Sequence, residues 1–105
     1  MIDKAQFFSE CKLKSGTVEI DGLGVIDVRE LSSAERESVF SMINESKSHV
    51  RAEALTAAYG CRILDESDVD SIMSGISHDV IEKLAQSIMA LSGMGGDDVE
   101  EAEKN

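Results

Sequence analysis

Cys61, His49 and His78 are the side chains with obvious nucleophilic or general-base chemistry in this chain. A cysteine hydrolase needs its thiolate beside a histidine that a third group orients. Cys61 instead falls on an apolar helical stripe, where an unpaired cysteine acts as a small hydrophobe, and no catalytic role is expected for it. Asp65, Glu66, Asp68 and Asp70 form the densest acidic cluster. A calcium loop beginning at Asp65 would need an oxygen ligand at its fifth position and glycine at its sixth, where Val69 and Asp70 stand. These carboxylates are expected to favour the positive end of a helix. Two histidines and two isolated cysteines lack the paired spacing of a zinc site. Gly22 and Gly24 make Gly-x-Gly, but no third glycine follows at the dinucleotide position and no basic residue sits in the turn. The expectation is a module with no catalytic, metal or cofactor site, one that works by binding.

The elements that would position a binding surface must come from 105 residues, enough for one domain with a modest core. The composition is 42% hydrophobic, but it holds only one Tyr, three Phe and no Trp, so Leu, Ile, Val, Met and Ala must fill the interior. The absence of proline leaves helices unbroken. The formal charge is −11, and residues 97–105 carry five acids and one Lys, so the body before them is itself acidic. With ten scattered basic residues, nucleic acid and anionic membrane are disfavoured as direct ligands, and a protein partner is expected. Cys11 and Cys61 are expected to be reduced thiols. The N-terminal residues have neither the basic flank nor the apolar run of a signal peptide, and no segment approaches about 18 apolar residues. The expectation is a soluble protein that stays in the compartment where it is made.

Residues 3–10 predict one or two helical turns with Ala5, Phe8 and Phe7 facing inward, too short to persist without docking on the rest. In 17–20 and 25–30, Val18, Ile20, Ile26 and Val28 alternate with polar residues. Asp21-Gly22-Leu23-Gly24 between them supplies the turn of an antiparallel hairpin. Ser32-Ser33-Ala34-Glu35 predicts a capping box and a helix from about residue 33. From Val39 to Cys61 the apolar positions keep one helical phase. This predicts one long helix, or two nearly collinear ones broken around Ser46-Lys47-Ser48, with Gly60 as a left-handed cap. Cys61 to Leu64 is expected to run extended, and a short helix over 68–74 to stop at Gly75. The fold class is therefore α+β and mostly helical. It runs as a short N-terminal helix, a hairpin, a long helix, a short helix and an amphipathic C-terminal helix, in one domain over 1–96 followed by an acidic, mobile 97–105 tail.

Ser77 is placed to cap the last helix. Its apolar positions Val80, Ile81, Leu84, Ala85, Ile88, Met89 and Leu91 spread over about 180° of the helical wheel. A helix on a single core needs about 100° of apolar surface, so the excess must meet a second layer of the domain, another subunit or a partner. Ile81, Leu84, Ile88, Met89, Leu91 and Met94 are accordingly the candidate partner-binding residues, with the methionines either adaptable surface or core filler.

Taken together, Lys4-Ala5-Gln6-Phe7-Phe8, Thr17-Val18-Glu19-Ile20 running to Gly24, and the block from Val28-Arg29-Glu30-Leu31 through Ser32-Ser33-Ala34-Glu35-Arg36 resemble the tail assembly chaperones of long-tailed bacteriophages. An Ala-rich helix, Leu64-Asp65-Glu66-Ser67-Asp68-Val69, Leu91-Ser92-Gly93 and Glu101-Ala102-Glu103-Lys104-Asn105 extend the resemblance over nearly the whole chain. The 64–69 stretch is shorter than the strand, turn and strand usual there, which reduces the small sheet to the hairpin alone.

The resemblance implies a non-enzymatic protein of the host cell cytoplasm, without cofactor. Such a protein binds and solubilises the phage tape measure protein, helps recruit the major tail tube protein and self-associates. It also implies a longer product made by ribosomal frameshifting, for which Lys104-Asn105 permits an A-rich slip site. The reading from another class is an acidic regulatory protein, such as a DNA mimic, that occupies a basic protein partner. Salt separates the two, because charge-led contacts are screened and apolar ones persist.

Overall fold

The computed structural model of the chain describes residues 1–94, so the acidic 97–105 tail and its expected mobility lie outside the described residues. The elements are α1 (Lys4–Glu10), β1 (Ser15–Ile20), β2 (Gly24–Arg29), α2 (Ser33–Ser46), α3 (His49–Gly60), a 3-10 turn (Glu66–Asp68), α4 (Val69–Gly75) and α5 (His78–Leu91). The expected α+β, mostly helical layout is the observed one.

Alternation builds the hairpin. Val18 pairs with Ile26 across antiparallel strands, and Val18, Ile20 and Val28 are buried while Thr17, Glu19, Val25 and Asp27 face out. Leu23 N–H closes the turn on Ile20 O, and Gly22 at φ 80° takes the positive φ that a type II turn requires at its third residue. Cys61 adds a single antiparallel bridge to Val28, backed by Arg62 N–H donating to Asp27 O. The expected extended run after α3 is thus one bridge long.

The predicted capping box opens α2: Ser32 Oγ accepts from Glu35 N–H, and Glu35 Oε1 accepts from Ser32 N–H. Glu35 also accepts both guanidinium arms of Arg29, at 2.7 and 2.8 Å. This fork, the largest influence on Glu35, holds its carboxyl below the usual range despite partial burial. One residue therefore ties the end of the hairpin to the start of the helix.

The 33–60 stretch is two helices, and they are not collinear. Lys47 takes a left-handed conformation (φ 55°), and extended Ser48 caps α3 by accepting from Arg51 N–H. The chain reverses there, so that Ala34 near the start of α2 and Tyr59 near the end of α3 line one groove. Gly60 is not a left-handed cap either: among the described residues the positive-φ glycines are Gly22, Gly24 and Gly93. Gly60 instead faces Ile88, where an added Cβ would stand 2.4 Å from Cδ1.

α3 is the central helix. Ala52, Ala54, Ala57 and Ala58 are buried, and their small side chains let α2, α4 and α5 pack around it. α5 packs against α3 on one side and both hairpin strands on the other, with Leu91 against Gly16. A second layer of the same domain thus accounts for most of the unusual width of its apolar stripe. Ser77 stands at the N-cap position of α5 but makes no side-chain capping bond. The far end closes in a Schellman motif, with Met94 N–H to Met89 O, Gly93 N–H to Ala90 O, and Gly93 at φ 74°.

α1 departs most from expectation. Asp3 caps it by accepting from Gln6 N–H, but none of its residues is buried, and Ala5, Phe7 and Phe8 face no core.

Candidate functional site

Local structure accounts for the residues with chemical potential. Cys61 is 2% exposed, and burial pushes its thiol up to about 11, away from any thiolate chemistry at neutral pH. His49 lies in a groove between α2, α3 and α5, whereas His78 stands 3.5 Å from Glu82 on the surface of α5. Asp65 and Asp68 cap the 3-10 turn reciprocally, Asp65 accepting from Ser67 N–H and Asp68 from Asp65 N–H. The Ser67 hydroxyl and amide lower the Asp65 pKa. Among the described residues no group of three or more His, Cys, Asp or Glu is placed to hold a metal ion.

The residues expected to bind a partner divide. Ile81, Leu84 and Ile88 are at most 4% exposed and belong to the core, so they are corrected as free surface. They are buried because α5 is covered from two sides, which a helical wheel cannot reveal. Met89, Leu91 and Met94 are half-buried. Met89 and Met94 line the α2/α3/α5 groove, a space of about 290 Å³ whose wall also carries His49, Glu53, Glu82 and Gln86. Leu91 is taken up by Gly16.

A more apolar surface lies at the other end of α5. The turn of the hairpin, the loop after α3, α4 and the first turns of α5 enclose a groove of about 220 Å³. Its inner wall includes Ile26, Ala57, Ile72, Val80, Ile81 and Leu84, and its rim carries Leu23, Ile63 and Ile76. Those three are 70%, 74% and 46% exposed, so large aliphatic side chains stand in solvent around an apolar trough. The only ionisable side chain in the lining is Asp68.

The rim residues were not legible as a site. Leu23 sits in a turn, Ile63 in a loop and Ile76 in the α4–α5 connection, and no periodic window contains them. The one available signal was a large aliphatic residue in each of three connections, where polar residues usually stand. The buried Ser92 was also missed: its Oγ accepts from Leu31 N–H and donates to Ile88 O, tying α5 to the hairpin–α2 link.

No family profile, curated protein or solved structure matches the chain. Among the described residues no helix is long and apolar enough to cross a membrane.

Proposed function

We propose that the protein is a phage tail assembly chaperone: it binds and solubilises the tape measure protein in the host cell cytoplasm and helps recruit tail tube subunits. The sequence resemblance supplies the class of client, a long helical protein with apolar stripes. The observation that carries the reading is the apolar groove at the hairpin turn, with Leu23, Ile63 and Ile76 exposed around it. An amphipathic helix laid in such a trough covers these side chains, each contributing about 1.5–3 kcal/mol on full burial. Association and side-chain ordering cost about 4–15 kcal/mol, so each copy binds weakly and leaves readily. That reversibility is what replacement by tube subunits demands, and many weakly bound copies cover a long client by mass action.

The test is retention of the tape measure protein of the same phage on the immobilised chain. Wild type retains it, and Ile63→Asp with Ile76→Asp lowers retention at least tenfold while the circular dichroism spectrum is unchanged. Retention no greater than that of an unrelated control helix overturns the reading. The net charge of −11 favours one rival, an acidic mimic that occupies a basic protein partner. Binding that survives from 50 to about 300 mM NaCl supports the apolar mode, and binding that collapses over that range supports the mimic.

A further inference from the structure

Glu30, Glu35, Glu53, Asp68 and Glu82 are the half-buried carboxylates among the described residues. Four of them have a donor within the chain: the Lys14 N–H for Glu30, the Arg29 fork for Glu35, the Asp65 N–H for Asp68 and the Gln86 side-chain amide for Glu82. Glu53 alone has no donor and no ion pair among the described residues, although taking a carboxylate from water without a partner is costly. It faces the groove between α2, α3 and α5, and Glu82 faces the same space from α5. The apolar wall there includes Val39, Ile43, Ala85 and Met89. Apart from exposed His49 no basic side chain lines the groove, and Arg36 on α2 donates instead to the Met94 sulfur. We propose that this groove is a second docking site, for a cationic amphipathic helix of a protein partner, with the charge of a Lys or Arg set at Glu53 and Glu82.

The wall and the charge together select that chemistry. Two carboxylates facing one space from different helices repel each other, and a cation between them is attracted to both. Lys and Arg have the matching build, an aliphatic stem that covers apolar surface and a charged head that stays at its rim. The space of about 290 Å³ equals roughly ten waters of liquid, room for one such stem and an aliphatic neighbour. A helix presents that pair at i and i+4 on one face, and the flexible Met89 side chain adapts to the stem. An uncharged apolar helix would cover Glu53 further and leave it unpaired, and an acidic one would add repulsion.

This site is separate from the turn groove. α5 gives Glu82, Gln86 and Met89 to one, and Val80, Ile81 and Leu84 to the other. The inference therefore does not rest on what fills the turn groove. It also differs from an acidic mimic, whose attraction is spread over the whole surface, because two named carboxylates carry the contact.

The probe is a labelled helical peptide with Leu and Lys four residues apart on one face, beside a counterpart with Gln for each Lys. In anisotropy titrations of the full chain at about 0.15 M NaCl, the Lys peptide binds at least tenfold more tightly than the Gln peptide. E53Q/E82Q weakens the Lys peptide at least fivefold. E19Q/D27N removes the same charge from the exposed outer face of the hairpin and changes binding less than twofold. Glu53 makes no bond among the described residues, so E53Q melts at the wild-type temperature; it replaces the double variant if that one does not fold, and weakens binding at least threefold. No binding of the Lys peptide, equal binding of the Gln peptide, or an equal loss in E19Q/D27N overturns the proposal. Capture of the tape measure protein is read through Ile63 and Ile76 on the other groove, so either result can fail while the other stands.

Discussion

Gly60 occupies a position where a Cβ would come within 2.4, 2.6 and 2.7 Å of three side-chain carbons of Ile88. Ile88 is 0% exposed and β-branched, so it has no open rotamer to move into. Gly60→Ala therefore sets an overpacking cost of about 1–3 kcal/mol against about 1 kcal/mol of improved helix propensity. Net destabilisation is expected, with the melting temperature falling by several degrees. Ile88→Ala alone is expected to cost about 2–5 kcal/mol through the cavity it leaves. The double variant should be less destabilised than the sum, by about 1 kcal/mol or more, because the new methyl at 60 then fills part of that cavity. Additive losses in thermal melts, or a stabilised Gly60→Ala, would contradict this account of the glycine. From sequence, Gly60 looked like punctuation at a helix end. The residue that requires it lies 28 positions away on α5, and only the folded packing brings the two together.

Single elements differ in how much of them could be read in advance. The hairpin and the α2 start were legible because their determinants are local: alternation of Val18 and Ile20, a glycine turn, and Ser32 three residues before Glu35. The break at Lys47 was half legible. The apolar phase continues across it, and that phase carries no information about a left-handed residue that reverses the chain. Of the candidate site, the sequence pointed to Ile81 and Leu84, which prove to be the inner wall, and gave no sign of the rim. α1 illustrates the remaining gap, since an amphipathic pattern with Phe8 and Ala5 identifies a face but not what covers it. Because α1 packs on no core residue, deleting residues 1–11 should shift the melting temperature by less than about 2 °C, as for an exposed terminus. A loss of stability above about 1 kcal/mol in thermal melts would mean that α1 is part of the fold.

Across the whole molecule, like charge outweighs its opposite. The described ion pairs of Arg or Lys are Arg29–Glu35 and Arg51–Asp70, and the second lies largely in solvent, where such pairs contribute little. Against them stands an excess of eleven negative charges on the chain, seven of them on the body before residue 97, whose mutual repulsion opposes the compact state. Salt screens exposed charges beyond about 10 Å at 0.1 M, which removes most of that repulsion and little of the partly buried Arg29–Glu35 fork. Raising NaCl from 20 to about 300 mM should therefore raise the melting temperature by a few degrees, the shift that roughly 1 kcal/mol produces in a domain of this size. A melting temperature that falls as NaCl is added would mean that attractive pairs dominate the electrostatics, and the acidic surface would then need a different physical account.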